Sequence, residues 1–392
     1  MDVVGTVMAG QPYNDVLVWV DIHQVLSKQF ATEFVTELCR EWSCLREVIL
    51  TSENSATTTP CICFNVQNHL EIMDDDEETV CGLAKWPSIM HDHMTNLIPQ
   101  WKIRIINSHQ KKRSRLYLRI NHAYADGYTI IKMLTGQDTV VGLGNSKRSA
   151  FNLMRLQKLL WNNHSIAKKC IDNAACAIES DDTKLLSCKP LKLKDVRIAS
   201  KRSNATVTAI LYTIMLFSYA EMTKKDRIIG GSMVTTSTSS DRSGLKVLPL
   251  LFVNSISGKS KLEVLKSVSV DFATCKSSMY IGAVQSAISA CSTMWGNKLI
   301  KRGISYAMYQ EVDLIFNSVI GPSESGICRD HHIRTSDIGF ALAPGPVCFN
   351  YISYEDRINL TVTCRGGRIE DAVKFKEQIE GVVDEVLYNV KV

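Results

Sequence analysis

Between residues 101 and 122 the chain alternates. WKIRIINS (101–108) and RLYLRINH (115–122) place apolar side chains at every second position, and the basic segment HQKKRSR (109–115) joins them. That pattern predicts an antiparallel hairpin, and it is the tightest local constraint in the sequence. Residues 14–20 (NDVLVWV) and 58–66 (TTPCICFNV) read as further strands. Between them VLSKQFATEFVTELCREW (25–42) carries apolar residues every three or four positions, the helical period. A second helix is predicted just after Gly127, with Ile130, Ile131, Met133 and Leu134 as its apolar positions.

The second half repeats the order. A helix (207–222) is followed by strands at 226–238 and 245–258, then by helices at 261–279 and 297–312. LIFNSVIG (314–321), CFNYISYED (348–356) and RINLTVTC (357–364) read as strands, and a final amphipathic helix covers 369–387. Strands interleaved with helices in two similar halves predict a two-domain α/β sandwich. The expected division is 1–145, a crossover linker at 146–195, and 196–392. With 392 residues, 45% hydrophobic and 22% charged, the chain is long enough for two cores.

The net charge of +5 suits an anionic small ligand or a membrane surface and argues against nucleic acid. The acidic run DDDEE (74–78) reads as a solvated loop. Thirteen scattered cysteines show no zinc-type spacing, and the close pair Cys61 and Cys63 has one residue between them. They read as reduced thiols of a cytosolic or cytosol-facing protein. The start lacks the pattern of a signal peptide, so the glycosylation-type triplets at Asn163, Asn204 and Asn359 read as chance matches. The apolar stretch 206–222 is short for a membrane span and reads as a buried core helix.

Where chemistry enters is INHAYADG (120–127). A histidine titrates near neutrality and accepts a proton from an alcohol best at the edge of a cleft, where His122 stands directly after a strand. Asp126 braces the turn through an ion pair or backbone hydrogen bonds, and Gly127 lets the chain bend. A structural histidine in a turn is the competing reading.

The set of segments resembles the wax ester synthase/diacylglycerol acyltransferase (WS/DGAT) family of the chloramphenicol-acetyltransferase-like superfamily. INHAYADG is similar to the HHxxxDG signature, with Asn121 in place of the first histidine and His122 as the second. NLIPQWKIRIINS resembles the Pro-Leu-Trp segment, with Trp101 matching and Gln100 replacing the leucine. FNSVIGPSES resembles the Ser-Asn-Val-Pro-Gly-Pro motif, keeping Gly321 and Pro322, with Ser318 for asparagine and Ile320 for the first proline. Thr208 and Ala209 stand where the family has Asn-Asp. SDIGFALAPGP (336–346) is weakly similar to the Asp-Phe-Gly-Trp-Gly element of plant acyltransferases of this fold.

The resemblance implies an α/β chloramphenicol-acetyltransferase-like sandwich of two domains with a tunnel between them. His122 would be the catalytic base, with Asn121, Asp126 and Gly127 structural. Trp101, Asn317, Ser318, Gly321 and Pro322 would line the tunnel. It implies acyl-CoA as co-substrate, an alcohol or lipid as acceptor, and no metal or cofactor. Candidates for the CoA phosphates are Lys111, Lys112, Arg113, Lys189, Lys192, Lys194, Lys201 and Arg202. A cytoplasmic protein, peripheral on the endoplasmic reticulum or lipid droplets, is expected. The helix at 151–169 fits either membrane contact or packing on the domain. Two alternatives stand beside the ester synthase: transfer of a short acyl group such as acetyl to a specialised alcohol, and a non-catalytic binder of an apolar ligand.

Overall fold

In the computed structural model the described residues are 15–51, 56–74, 83–85, 98–136, 157–159, 161, 165, 183–235, 247–275, 283, 286, 290, 311–323, 333–342, 345–365, 369 and 371–388. The fold is built around β1 (Asp15–Ile22), whose two faces do different things. Val16, Val18, Val20 and Ile22 face helix α1 (Lys28–Glu41), where Phe34, Val35 and Leu38 are buried. Leu17 and Trp19, at the alternate positions, pack with Ala341, Tyr117 and Leu185. α1 starts at Lys28, three residues inside the stretch 25–42 expected from its period, because the Ser27 hydroxyl accepts the Phe30 N–H at 3.1 Å and caps the helix there.

β2 (Glu47–Thr51) and β3 (Ala56–Pro60) form a separate two-stranded sheet. The strand expected at 58–66 therefore ends at Pro60; Cys61 to Phe64 is a turn, followed by a 3-10 turn at Val66–Asn68. β4 (Leu70–Asp74) follows, and β5 is Leu83–Lys85. The hairpin is observed as β6 (Trp101–Ser108) and β7 (Arg113–Asn121), then α2 (Gly127–Thr135). Of the acidic run only Asp74 is described.

The polar segment expected as linker contains β8 (Thr183–Ser187), β9 (Leu191–Lys192) and the start of α3 (Leu193–Ser203). α4 (Val207–Thr223) is buried at every position from Ala209 to Tyr219, which is why it reads as uniformly apolar. Among the described residues no single helix is long and apolar enough to cross a membrane. β10 (Arg227–Thr235), β11 (Val247–Ser255), α5 (Lys261–Cys275), β12 (Leu314–Ile320), β13 (Thr335–Leu342), β14 (Val347–Tyr354), β15 (Arg357–Arg365) and α6 (Ala372–Tyr388) complete the chain. The helix expected at 297–312 lies, up to residue 310, outside the described residues, as does most of 151–169. Within that stretch Leu159 is buried in the second core and Trp161 is exposed.

Two sheets result. The first has the order β13-β1-β7-β6-β4 and the second β11-β10-β12-β14-β15-β8-β5. Each takes a strand from the other half of the chain: β5 joins the second sheet beside β8, and β13 joins the first beside β1. The expected boundaries at 145 and 196 therefore do not separate the sheets. Gly339 makes the β13 crossing sterically feasible, since a Cβ there would meet the Trp19 indole at 2.2 Å.

The other edge of β13 is held by side chains. On one face of β15, Arg357, Asn359, Thr361 and Thr363 recur at every second position. The Arg357 guanidinium donates to the Ser336 carbonyl. Asn359 donates to the Ile338 carbonyl at 2.6 Å, Thr361 to Phe340 at 2.6 Å, and Thr363 to Leu342 at 2.9 Å. Four consecutive outward carbonyls of an edge strand are thereby satisfied inside the protein, where leaving them bare would be costly. Asn359, one of the glycosylation-type triplets, is buried in this ladder. Replacing Thr361 by Val should strand the Phe340 carbonyl and lower unfolding stability by about 1–3 kcal/mol. A urea titration that shows an unchanged midpoint would contradict the ladder's role.

Candidate active site

His122 follows directly on β7. Leu116, Leu118 and Ile120 point into the first core, while Arg119, on the opposite face, forms an ion pair with Asp15 of β1 at 2.6 Å. Past Asn121 the chain turns, with the Tyr124 N–H donating to the Asn121 carbonyl at 3.1 Å. α2 then begins because the Asp126 carboxylate accepts the Thr129 N–H at 2.8 Å. Asp126 is thus a helix cap at the positive end of a helix dipole, the backbone-bonding alternative of the two expected for it. Gly127 is needed for space rather than for turning. A Cβ there would meet Val319 Cγ2 of β12 at 3.0 Å, and its φ is not among the positive ones.

Asn121 and Gln100, two departures from the family pattern, prove to be one feature. The Asn121 side-chain amide donates to Gln100 Oε1 at 2.7 Å, and its backbone N–H donates to the Gln100 carbonyl at 2.9 Å. Asn121 Oδ1 accepts the Ala123 N–H at 2.9 Å, which ties the turn on the far side of His122. Gln100 N–H donates to the Tyr124 hydroxyl at 3.1 Å, and that hydroxyl donates to the Glu47 carbonyl at 2.8 Å. His122 therefore sits in a turn fixed on both sides by buried hydrogen bonds.

The imidazole is 6% exposed, and its Nδ1 has no hydrogen-bond partner. Burial pulls its pKa below the ordinary histidine value, against the opposite pull of its own main-chain carbonyl and of the Asp126 carboxylate. Burial thus favours the neutral ring. A neutral imidazole with an unengaged nitrogen is chemically a base.

The remaining expected residues divide. β12 runs beside α2 at the Gly127–Val319 contact, and Asn317 lies on the same face of the strand as Val319. Asn317 donates to Asn350 Oδ1 at 2.9 Å, and Asn350 lies in register with Thr361, so a polar row crosses β12, β14 and β15. Ser318, expected in the tunnel wall, has the alternate orientation and belongs to the opposite face. Gly321 allows the backbone to press against β14, since a Cβ would meet the Ser353 carbonyl at 2.1 Å. The Pro322 carbonyl accepts the Glu355 N–H at 2.9 Å.

Trp101, also expected in the tunnel, is instead a core residue. Its indole donates to the Leu45 carbonyl at 2.7 Å and stacks on His69 with ring centres 4.3 Å apart. Lys111, Lys112 and Arg113 stand in and beside the turn at the opposite end of β7 from His122, with Arg113, the nearest in sequence, about 30 Å along the strand at 3.3 Å per residue. They are too far for a ligand's phosphates to bind there while its reactive end reaches the imidazole through this strand's own length.

A groove of about 670 Å³ was not foreseen. It is lined by Leu193, Lys194, Arg197, Ile198 and Lys201 of α3, by Ser323 next to Pro322, and by Glu355 and Asp356. Of the basic candidates, Lys194 and Lys201 belong to it, and Arg197 is added. The signal for it in the sequence was the spacing of these cations along one helix face, which only helix assignment reveals. Among the described residues no three metal-binding side chains converge.

If Asn121 and Gln100 act as a pair, Asn121→His and Gln100→Leu should each cost about 1–3 kcal/mol by stranding the partner. The double variant should then cost less than the sum, with a coupling of roughly 1 kcal/mol in a double-mutant cycle. Strict additivity in the measured unfolding energies would show that the contact does no energetic work.

Comparison with known proteins places this geometry. Residues 247–386 match the model of the WS/DGAT C-terminal domain, a stretch that contains β12 to β15 but not His122. No curated protein matches in sequence. Among solved structures, the wax ester synthase/diacylglycerol acyltransferase from Marinobacter aquaeolei VT8 superposes with a TM-score of 0.58 at 11% identity, covering 97% of this chain and 96% of that one. The first condensation domain of the CDA synthetase gives a TM-score of 0.64 at 11% identity, covering 100% and 96%. The condensation domain of the Monacolin K polyketide synthase gives 0.59 at 10% identity, covering 98% and 94%. The chain therefore has the two-domain fold seen in the wax ester synthase/diacylglycerol acyltransferase and in condensation domains, and residues 247–386 within it match the WS/DGAT C-terminal domain model.

Proposed function

We propose that the chain is an acyl-CoA-dependent O-acyltransferase that forms esters of the wax ester or acylglycerol type, with His122 as general base. The observation that carries this reading is the state of His122: buried, favoured in its neutral form, with a ring nitrogen unengaged, and held by a hydrogen-bonded turn beside β12. Such an imidazole takes the proton of an alcohol as its oxygen attacks the thioester carbonyl. The imidazolium then returns that proton to the departing thiolate, so that ester and free CoA leave and the base is restored. Holding both substrates at one base supplies much of the rate, and the chemistry needs no covalent enzyme intermediate.

The α3 groove supports CoA as donor. Lys194, Arg197 and Lys201 offer three cations on one face, suited to a nucleotide's phosphates. The groove adjoins the Gly321–Pro322 turn, because the Leu193 N–H donates to the Asp356 carbonyl at 2.7 Å and Pro322 is bonded to Glu355. From there β12 leads back to Val319 and the start of α2. The pairing of Asn121 with Gln100 also removes one reason to read the chain as a non-catalytic binder, since the missing histidine has a structural replacement.

Thiol release from acetyl- through stearoyl-CoA, measured with pooled alcohols, tests this. Acceptor-dependent release should rank the acyl groups and fall at least about 100-fold in His122→Ala. In the same assay the double replacement Arg197→Glu, Lys201→Glu should raise KM for acyl-CoA and leave an acyl-pantetheine donor unaffected. A folded wild-type chain that releases no thiol with any donor would contradict the transferase and favour a binder of an apolar ligand.

A further inference from the structure

The turn after β3 holds two thiols side by side. Cys61 Sγ and Cys63 Sγ are 3.7 Å apart, which is van der Waals contact, and Cys63 is exposed. Ile62 between them is fully exposed, so the turn projects from the surface. It is anchored on one side by the Cys61 N–H donating to the Arg46 carbonyl at 2.8 Å. Across the turn the Phe64 N–H reaches the Cys61 carbonyl at a long 3.4 Å. Cys39, Cys188, Cys275, Cys348 and Cys364 are buried, and burial raises Cys39, Cys188 and Cys348 to about 12. Such thiols are inert toward solutes. The acyl transfer has no use for the pair at the surface.

We infer that Cys61 and Cys63 form a reversible dithiol–disulfide exchange site that takes small-molecule disulfides of the oxidised glutathione class. The Cys63 thiolate attacks one sulfur of R–S–S–R, the S–S bond breaks, and the first RS⁻ leaves and is protonated. Cys61 gives its proton to solvent and attacks Cys63 Sγ, which forms the Sγ–Sγ bond and expels the second RS⁻. Two protein thiols are oxidised and one small disulfide is reduced to two thiols. A disulfide needs its sulfurs about 2.05 Å apart, so they must close by roughly 1.7 Å, a movement that an exposed turn, with Ile62 and Cys63 at the surface, accommodates. Exposed disulfides are of the labile kind, and reduced glutathione should therefore reopen this one.

The full-length chain equilibrated in glutathione buffers of graded ratio, quenched by alkylation and digested, tests the assignment by mass. In oxidising buffer the peptide carrying Cys61 and Cys63 should escape alkylation with the loss of two hydrogens, and reduced glutathione should reverse it. The Cys61→Ser chain should accumulate a glutathione adduct on Cys63, because nothing resolves it. Full alkylation of both residues at saturating oxidised glutathione, no adduct in Cys61→Ser, or a bond from either residue to a third cysteine would each overturn the proposal.

Discussion

The position of β13 decides the geometry of everything else. It lies between β12 and β14 in the chain yet pairs with β1 in the other sheet, so it ties the two halves together. Backbone hydrogen bonds hold one edge, and the Arg357, Asn359, Thr361 and Thr363 side chains of β15 hold the other. With the sheets locked in this way, Leu17 and Trp19 of the first pack toward Leu185 of the second. In the same arrangement Gly127 comes close against Val319 of β12. Were the sheets free to slide, the helix after His122 would have no fixed place against β12, and a base and its substrates would not stay aligned to the fraction of an ångström that catalysis asks.

At His122 itself two opposing influences meet. Burial favours the neutral ring, while its own carbonyl and Asp126 favour the charged one, and burial wins. That balance suits the general base proposed for His122: burial favours the neutral form, and a protonated ring would have the Asp126 carboxylate nearby. Asp126 serves both ends at once, since capping α2 fixes the turn and places its carboxylate near enough to be felt by the ring.

Much of this was legible because local patterns and burial agree. The β6–β7 hairpin, α1 and α2 follow from alternation or helical period and α4 from its unbroken apolar run, and their apolar positions are the buried ones. What stayed hidden depends on contacts distant in sequence. β13 carries Gly339 and precedes a Pro-Gly-Pro run, and it is absent from the strands expected from alternation; Trp19 and β15 must be placed around it before it is seen as one. β8 and β9 are short and polar-edged, and only pairing with β15 makes them strands. Gln100 and Asn121 each look like a loss; their complementarity emerges only when β6 and β7 lie side by side. Trp101 belongs to the matched segment, but strand alternation turns its indole into the core, away from any channel.

The dependence of kcat/KM on pH tests the central claim most directly, because it reports whether the working base is a buried imidazole. Protonation removes the base, so activity is lost as pH falls through its pKa, and a pKa lowered by burial moves that loss to lower pH. The account predicts a single acid limb below about 6.5, the ordinary histidine value, with a plateau from there through neutrality. A limb at or above that value, or activity that persists unchanged in His122→Ala, would contradict it.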